Sequence, residues 1–216
     1  MSARRVIAVL ALAVAAPAGA RAQHVTAGAQ LAVGEYAEQA PSLRFSGAGV
    51  AGRMSVVWRR YELIAGATRL ALRPRDPDSP SEAFDLTQTD VRLRVRATRL
   101  VSVEAGFVGH VVEPLYAAQS MGAARLGAVL ACPLAIGADV SARASYLAAG
   151  KFSGGGSAPF GVEVGLAASY APWAGRVRAT GDLEFRRLDR RITTAAGALE
   201  TPIQSTVARV GLQLAY

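Results

Sequence analysis

The sequence predicts an all-β fold: a closed, antiparallel, up-and-down transmembrane β-barrel of about ten strands, or about eight or twelve if one hairpin is merged or missed. Three observations predict it. Apolar and polar side chains alternate with a period of two through most of the chain after Gln23, and helical spacing of apolar residues is nowhere sustained. Short and longer connections alternate between these segments. The barrel is preceded by what reads as a cleavable export leader.

The leader comes first in the chain. Arg4 and Arg5 give a positive start, Val6 to Ala16 an apolar stretch, and Ala20-Arg21-Ala22 a small-residue cleavage site, so residues 1–22 are expected to be a signal peptide and 23–216 the barrel domain. Losing Arg4, Arg5 and Arg21 lowers the basic count from 24 to 21 against 16 acids, and the net charge from +8 to +5. No later window is apolar for the ~18 residues that a membrane helix needs. Cys132 is the only cysteine, which excludes an intramolecular disulfide; none sits at the cleavage site to carry a lipid.

Strands are then expected at about Val25 to Val33, Leu43 to Val57, Glu62 to Leu72, Phe84 to Arg96 and Leu100 to Val111. The second half continues with Met121 to Leu130, Ala135 to Ala148, Phe160 to Tyr170, Arg176 to Arg187 and Gln204 to Tyr216. The plainest is VRLRVRA over Val91 to Ala97, where a pleated strand puts every arginine on one face and a helix would scatter them. Tight turns are expected at Trp58 to Tyr61, Ala97 to Arg99, Ala131 to Leu134 and Ala171 to Gly175. Longer loops are expected at Gly34 to Ser42, Arg73 to Ala83, Val112 to Ser120, Ala149 to Pro159 and Leu188 to Ile203.

Alternation alone does not say which face is outside, because soluble and membrane barrels exchange the two. Val210, Leu212, Leu214 and the terminal Tyr216 share one face of the last strand. Aromatics gather at the expected strand ends: Trp58, Tyr61, Tyr170, Trp173 and Tyr216 near the turns, and Tyr36, Phe45, Phe84, Tyr146, Phe160 and Phe185 near the loops. That layout suggests two interfacial girdles. Between them the apolar face is Ala, Val and Leu, as in Val162, Val164, Leu166 and Ala168. The terminal strand, with its apolar alternation and final aromatic, resembles that of small bacterial outer-membrane β-barrel proteins. The resemblance implies a place in the Gram-negative outer membrane, contact with its lipid, and reading of Val210, Leu212, Leu214 and Tyr216 by the barrel-insertion machinery. A monomer is expected.

The opposite face is rich in charge. Arg53, Arg69, Arg92, Arg94, Arg96, Arg125, Arg143, Arg176, Arg178, Arg186 and Arg209 stand against Asp90, Glu104, Asp139, Glu163, Asp182 and Glu184. Strands consecutive in a meander are neighbours, so Arg92 to Arg96 can meet Glu104, Arg143 can meet Glu163, and Asp182 or Glu184 can meet Arg209. A barrel of this size filled by long arginines leaves a narrow or plugged lumen. The expected role is structural or surface-interacting and not enzymatic. A narrow channel for small anions is the alternative, because arginine exceeds carboxylate on this face.

Other chemistry finds little support. His24, His110 and Cys132 cannot assemble a metal cluster, and no cofactor is expected. The glycines at Gly47 and Gly49, and at Gly154 to Gly156, lack the lysine and helix of a phosphate loop and read as close backbone approach and a flexible loop. The arginines lack aromatic stacking partners, which argues against nucleic acid. Cys132-Pro133 reads as an inert turn. A hydrolase would need His110 with Glu113 and Ser120. Asp76-Pro77-Asp78 is similar to half of the catalytic set of ten-stranded omptin-type proteases, but no Asp-x-His follows anywhere, so the pair reads as turn chemistry.

Overall fold

The structure is a computed structural model that describes residues 24–39, 42–113, 116–134, 137–171, 176–194 and 197–216. The expected leader and Trp173 lie outside the described residues. Ten strands form the barrel: β1 (His24–Gln39), β2 (Ser42–Trp58), β3 (Tyr61–Pro74), β4 (Phe84–Arg96), β5 (Val101–Glu113), β6 (Met121–Leu134), β7 (Ala138–Phe152), β8 (Ser157–Tyr170), β9 (Val177–Thr194) and β10 (Gly197–Ala215). Each pairs antiparallel with the next, and β10 pairs with β1 from Thr26↔Ala215 to Glu38↔Ile203, so the sheet has no free edge. Every backbone group of the wall can then bond within the sheet, as hydrocarbon requires.

The strands run from 13 to 19 residues, well beyond the ~9 to 11 that cross a bilayer at a tilt. Three of the expected loops are therefore mostly ladder. β1 and β2 pair to Gln39↔Ser42, β7 and β8 to Lys151↔Ser157, and β9 and β10 to Gly197↔Thr194. Polar outward residues such as Glu35, Lys151, Arg191 and Glu200 had marked these stretches as loop; they are instead strand that continues past the lipid into water. The expected turn at Ala131 to Leu134 is likewise the end of β6, where Cys132 lies exposed opposite Val140. At Ala97 to Arg99 the turn is as read, with Thr98 Oγ1 accepting from the N–H of Leu100 (3.2 Å) and of Val101 (3.0 Å). Arg59 turns the β2–β3 hairpin at φ 55°.

Alternation sorts the side chains as a membrane barrel does. Leu31, Val50, Phe107, Leu126, Val164, Leu166, Leu183 and Val210 are exposed on the outside, while their neighbours in sequence point inward. The interior, however, is polar for only part of its length. Towards the loop end it holds an apolar core of Tyr36, Phe45, Leu70, Leu72, Phe84, Leu86, Val112, Phe152, Leu188, Ile203 and Val207. Tyr36, Phe45 and Phe84 thus belong to the inside and not to an outer girdle. Their parity decides this: Tyr36 shares a face with the buried Gln30 and Ala32. The Phe84 ring meets Phe45 at 4.8 Å, Tyr116 at 5.1 Å and Tyr36 at 5.6 Å, all edge-on, an arrangement aromatic quadrupoles favour.

Candidate functional site in the barrel lumen

Below the apolar core the lumen is crossed by one connected lattice of ions. Arg94 on β4 reaches Glu62 at 3.0 Å and Glu104 at 3.3 Å; Arg92 reaches Glu104 at 3.6 Å and Asp90 at 2.9 Å. Arg125 on β6 bridges Asp90 and Glu163. Arg143 on β7 touches Glu163 at 2.9 Å, Glu184 at 3.1 Å and Glu104 at 3.8 Å. Arg186 joins Glu163 at 2.8 Å to Glu184 at 2.9 Å, and Arg209 on β10 ends the chain of contacts on Asp182 at 2.6 Å and Glu184 at 3.4 Å. Six guanidiniums thus interlock with six carboxylates. Arg209 closes the circuit to the opposite wall through Thr68 at 2.9 Å, and Gln30 on β1 reaches Asp182 at 3.3 Å.

Ladder register explains why these strands supply these residues. Glu62 lies opposite Arg94, Arg94 opposite Glu104, Glu163 opposite Arg186 and Arg209 opposite Asp182, all on the inward parity. Glu62 is the member that sequence reasoning missed. Its signal was its parity, because Leu63, Ala65 and Ala67 take the outward positions of β3. One expected lumen residue lies elsewhere. Arg69 points outward and pairs with Asp85 at 2.6 Å in an exposed bridge. Arg96 and Arg176 are exposed at the turn end, where they line the mouth of the lumen. Asp139 pairs with Arg178 at 2.6 Å, apart from the lattice.

Hollows flank the lattice. A crevice of about 50 Å³ lies among Gln30, Arg53, Thr68, Gln88 and Arg209. Towards the strand ends that carry His24 and Ala215 a wider cavity of about 450 Å³ opens, with Arg53, Ser55, Glu62, Arg94, Asp139, Arg178 and Gln213 in its wall. The lattice stands above this vestibule and the apolar core above that.

No protein-family model and no curated protein matches the sequence. Among solved structures the chain is similar to the outer membrane protease OmpT from Escherichia coli, with a TM-score of 0.53, 8% identity, and 91% of this chain and 98% of that one covered. The fold is that of the outer-membrane β-barrels. An outer membrane channel from Pseudomonas putida F1 (TM-score 0.47, 10% identity, 93% and 99% covered) and Neisserial surface protein A (0.41, 12%, 88% and 96%) are further barrels found by the same comparison.

The remaining site residues of this barrel fall on its outer wall. Val210, Leu212, Leu214 and Tyr216 are all exposed on one face of the terminal strand. Trp58 stacks on Tyr61 at 5.5 Å at the turn end, Tyr170 is exposed there too, and Tyr146 and Phe160 pack at 5.9 Å nearer the loops. His110 is not poised for catalysis. It is buried, its Nε2 lies 2.9 Å from the Gln119 carbonyl, Ser120 Oγ accepts the Val112 N–H at 2.9 Å, and Glu113 faces outward. Asp76 serves its own loop, its Oδ1 accepting the Asp78 N–H at 3.0 Å, which is an Asx turn. Among the described residues no group of His, Cys, Asp and Glu could hold a metal ion.

Proposed function

We propose that this chain is a non-conducting outer-membrane barrel with a structural or surface-presenting role and no hydrolytic one. The observation that carries the reading is how the lumen is filled: a lattice of six ion pairs' worth of charge lies under an apolar core that includes Leu70, Leu86, Leu188 and Val207. An ion entering from the vestibule meets fixed, mutually satisfied charges and then a mostly apolar stretch with few groups to replace its hydration shell. This disfavours the anion channel. His110, bound to a backbone carbonyl, favours no hydrolase either.

The same reading assigns residues 1–22 to a leader removed on export, the Ala/Val/Leu wall to acyl chains, and Val210, Leu212, Leu214 and Tyr216 to recognition by the insertion machinery. It takes the barrel as a monomer without nucleic-acid partners. The test is single-channel recording on the mature chain refolded into planar bilayers. Silence is expected, and steady anion-selective steps would overturn the reading.

A further inference from the structure

Arg53 stands apart from the lattice. It extends from β2 on the inward parity and lines both the crevice and the vestibule, so its accessible surface is lumenal. Among the described residues no hydrogen bond or ion pair holds its guanidinium. The charges that act on it are Arg94, which repels it, and Glu62, Asp182 and Asp90, which attract it from beyond contact. Each of those carboxylates is already engaged: Glu62 by Arg94, Asp182 by Arg209, and Asp90 by Arg92 and Arg125. Six cations balance six anions in the lattice, and Arg53 is the surplus charge beside it.

We infer that the vestibule is a binding site for a small oxyanion, a carboxylate or phosphate, gripped by the Arg53 guanidinium. A guanidinium offers five donors in a planar fork that matches such groups in bidentate fashion, and here the fork is unspent. The surrounding wall is of low dielectric and focuses its field into the cavity. The cavity's volume of about 450 Å³ lies in the range of ordinary small-molecule sites, roughly 300–1,000 Å³. Ser55 and Gln213 add polar side chains to the wall, Arg94 and Arg178 are held there by Glu62 and Asp139, and Arg176 adds a further cation at the mouth. The inference rests on the closed-lumen reading in one respect: a blind vestibule retains the anion where an open one would pass it on.

The test uses the mature chain refolded in detergent micelles, titrated calorimetrically with inorganic phosphate and, separately, with citrate. Saturable binding of at least one anion is expected. It should weaken about tenfold or more in Arg53→Gln and remain unchanged in Arg69→Gln, whose guanidinium is on the outer wall. The two anions separate phosphate from carboxylate preference. Heat-modifiable mobility on a gel confirms that each variant is folded, and the anion should raise the melting temperature of the parent but not of Arg53→Gln. Absence of saturable binding of both anions to the folded parent, or equal binding to Arg53→Gln, overturns the site. Recording the same preparation in planar bilayers keeps the two readings apart: conductance together with Arg53-dependent binding overturns only the closed lumen, and silence without binding overturns only the site.

Discussion

Glu163 is wholly enclosed and is contacted by three guanidiniums, those of Arg125, Arg143 and Arg186. Removing it strands positive charge that has no water to turn to, and breaking a buried pair in this way typically costs about 3–5 kcal/mol. Glu163→Ala is therefore expected to lower the barrel's stability by about that amount, read as a shift in its urea midpoint in micelles. Glu200→Gln, which breaks only the exposed Arg191–Glu200 bridge, should change it by less than about 1 kcal/mol. Equal effects would show that the lattice is solvated. How much of the lattice could be read from the sequence follows from the same physics. Arg143 beside Glu163 and Arg209 beside Asp182 need only inward parity and meander adjacency, both of which period-2 alternation supplies. Arg69 was misplaced because β3 is apolar on both faces, with Leu63 and Ala65 outside and Leu70 and Leu72 inside, so polarity there does not reveal direction.

Strands read well from alternation; their ends did not, because the cue for an end was loss of outward hydrophobicity and the ladder outlasts the lipid. β1 shows this: Val33 outside gives way to Glu35 while Gly34, Tyr36 and Glu38 go on pointing in. The closeness of β2 to β3 was legible in part, through Gly47 and Gly49. A Cβ on Gly49 would stand 1.8 Å from the Arg69 carbonyl oxygen, and one on Gly47 1.9 Å from that of Ala71, so the sheet tolerates only glycine there. Backbone cannot retreat as a side chain can. Gly49→Val is expected to force the β2–β3 ladder apart, costing about 1–3 kcal/mol or more and lowering the yield of heat-modifiable barrel on refolding. Gly52→Ala is the matched control on the same strand, since the nearest atom to its Cβ is 3.9 Å away. A normal yield from Gly49→Val would mean that the two strands are not held so closely.

At the scale of the whole molecule, the outer wall must match a bilayer in height as well as in polarity. On β8 the aromatics Phe160 and Tyr170 face outward with Val162, Val164, Leu166 and Ala168 between them, ten residues from ring to ring. At ~3.3 Å per residue and a tilt of ~40° this spans about 25 Å, the height of the apolar band of an outer-membrane barrel. Leu166 then lies near the midplane, and it is 54% exposed on the outer wall. An arginine there must either enter hydrocarbon or drag water and headgroups to itself, at about 2–4 kcal/mol near the midplane. Leu166→Arg is expected to destabilise the barrel by about that amount in phospholipid vesicles, measured by denaturant titration. A water-facing wall predicts the reverse, because exchanging an exposed leucine for arginine on a soluble barrel costs almost nothing and improves solubility. A Leu166→Arg chain as stable as its parent in vesicles would therefore turn the barrel inside out, with lumenal lattice and lipid wall losing their meaning together.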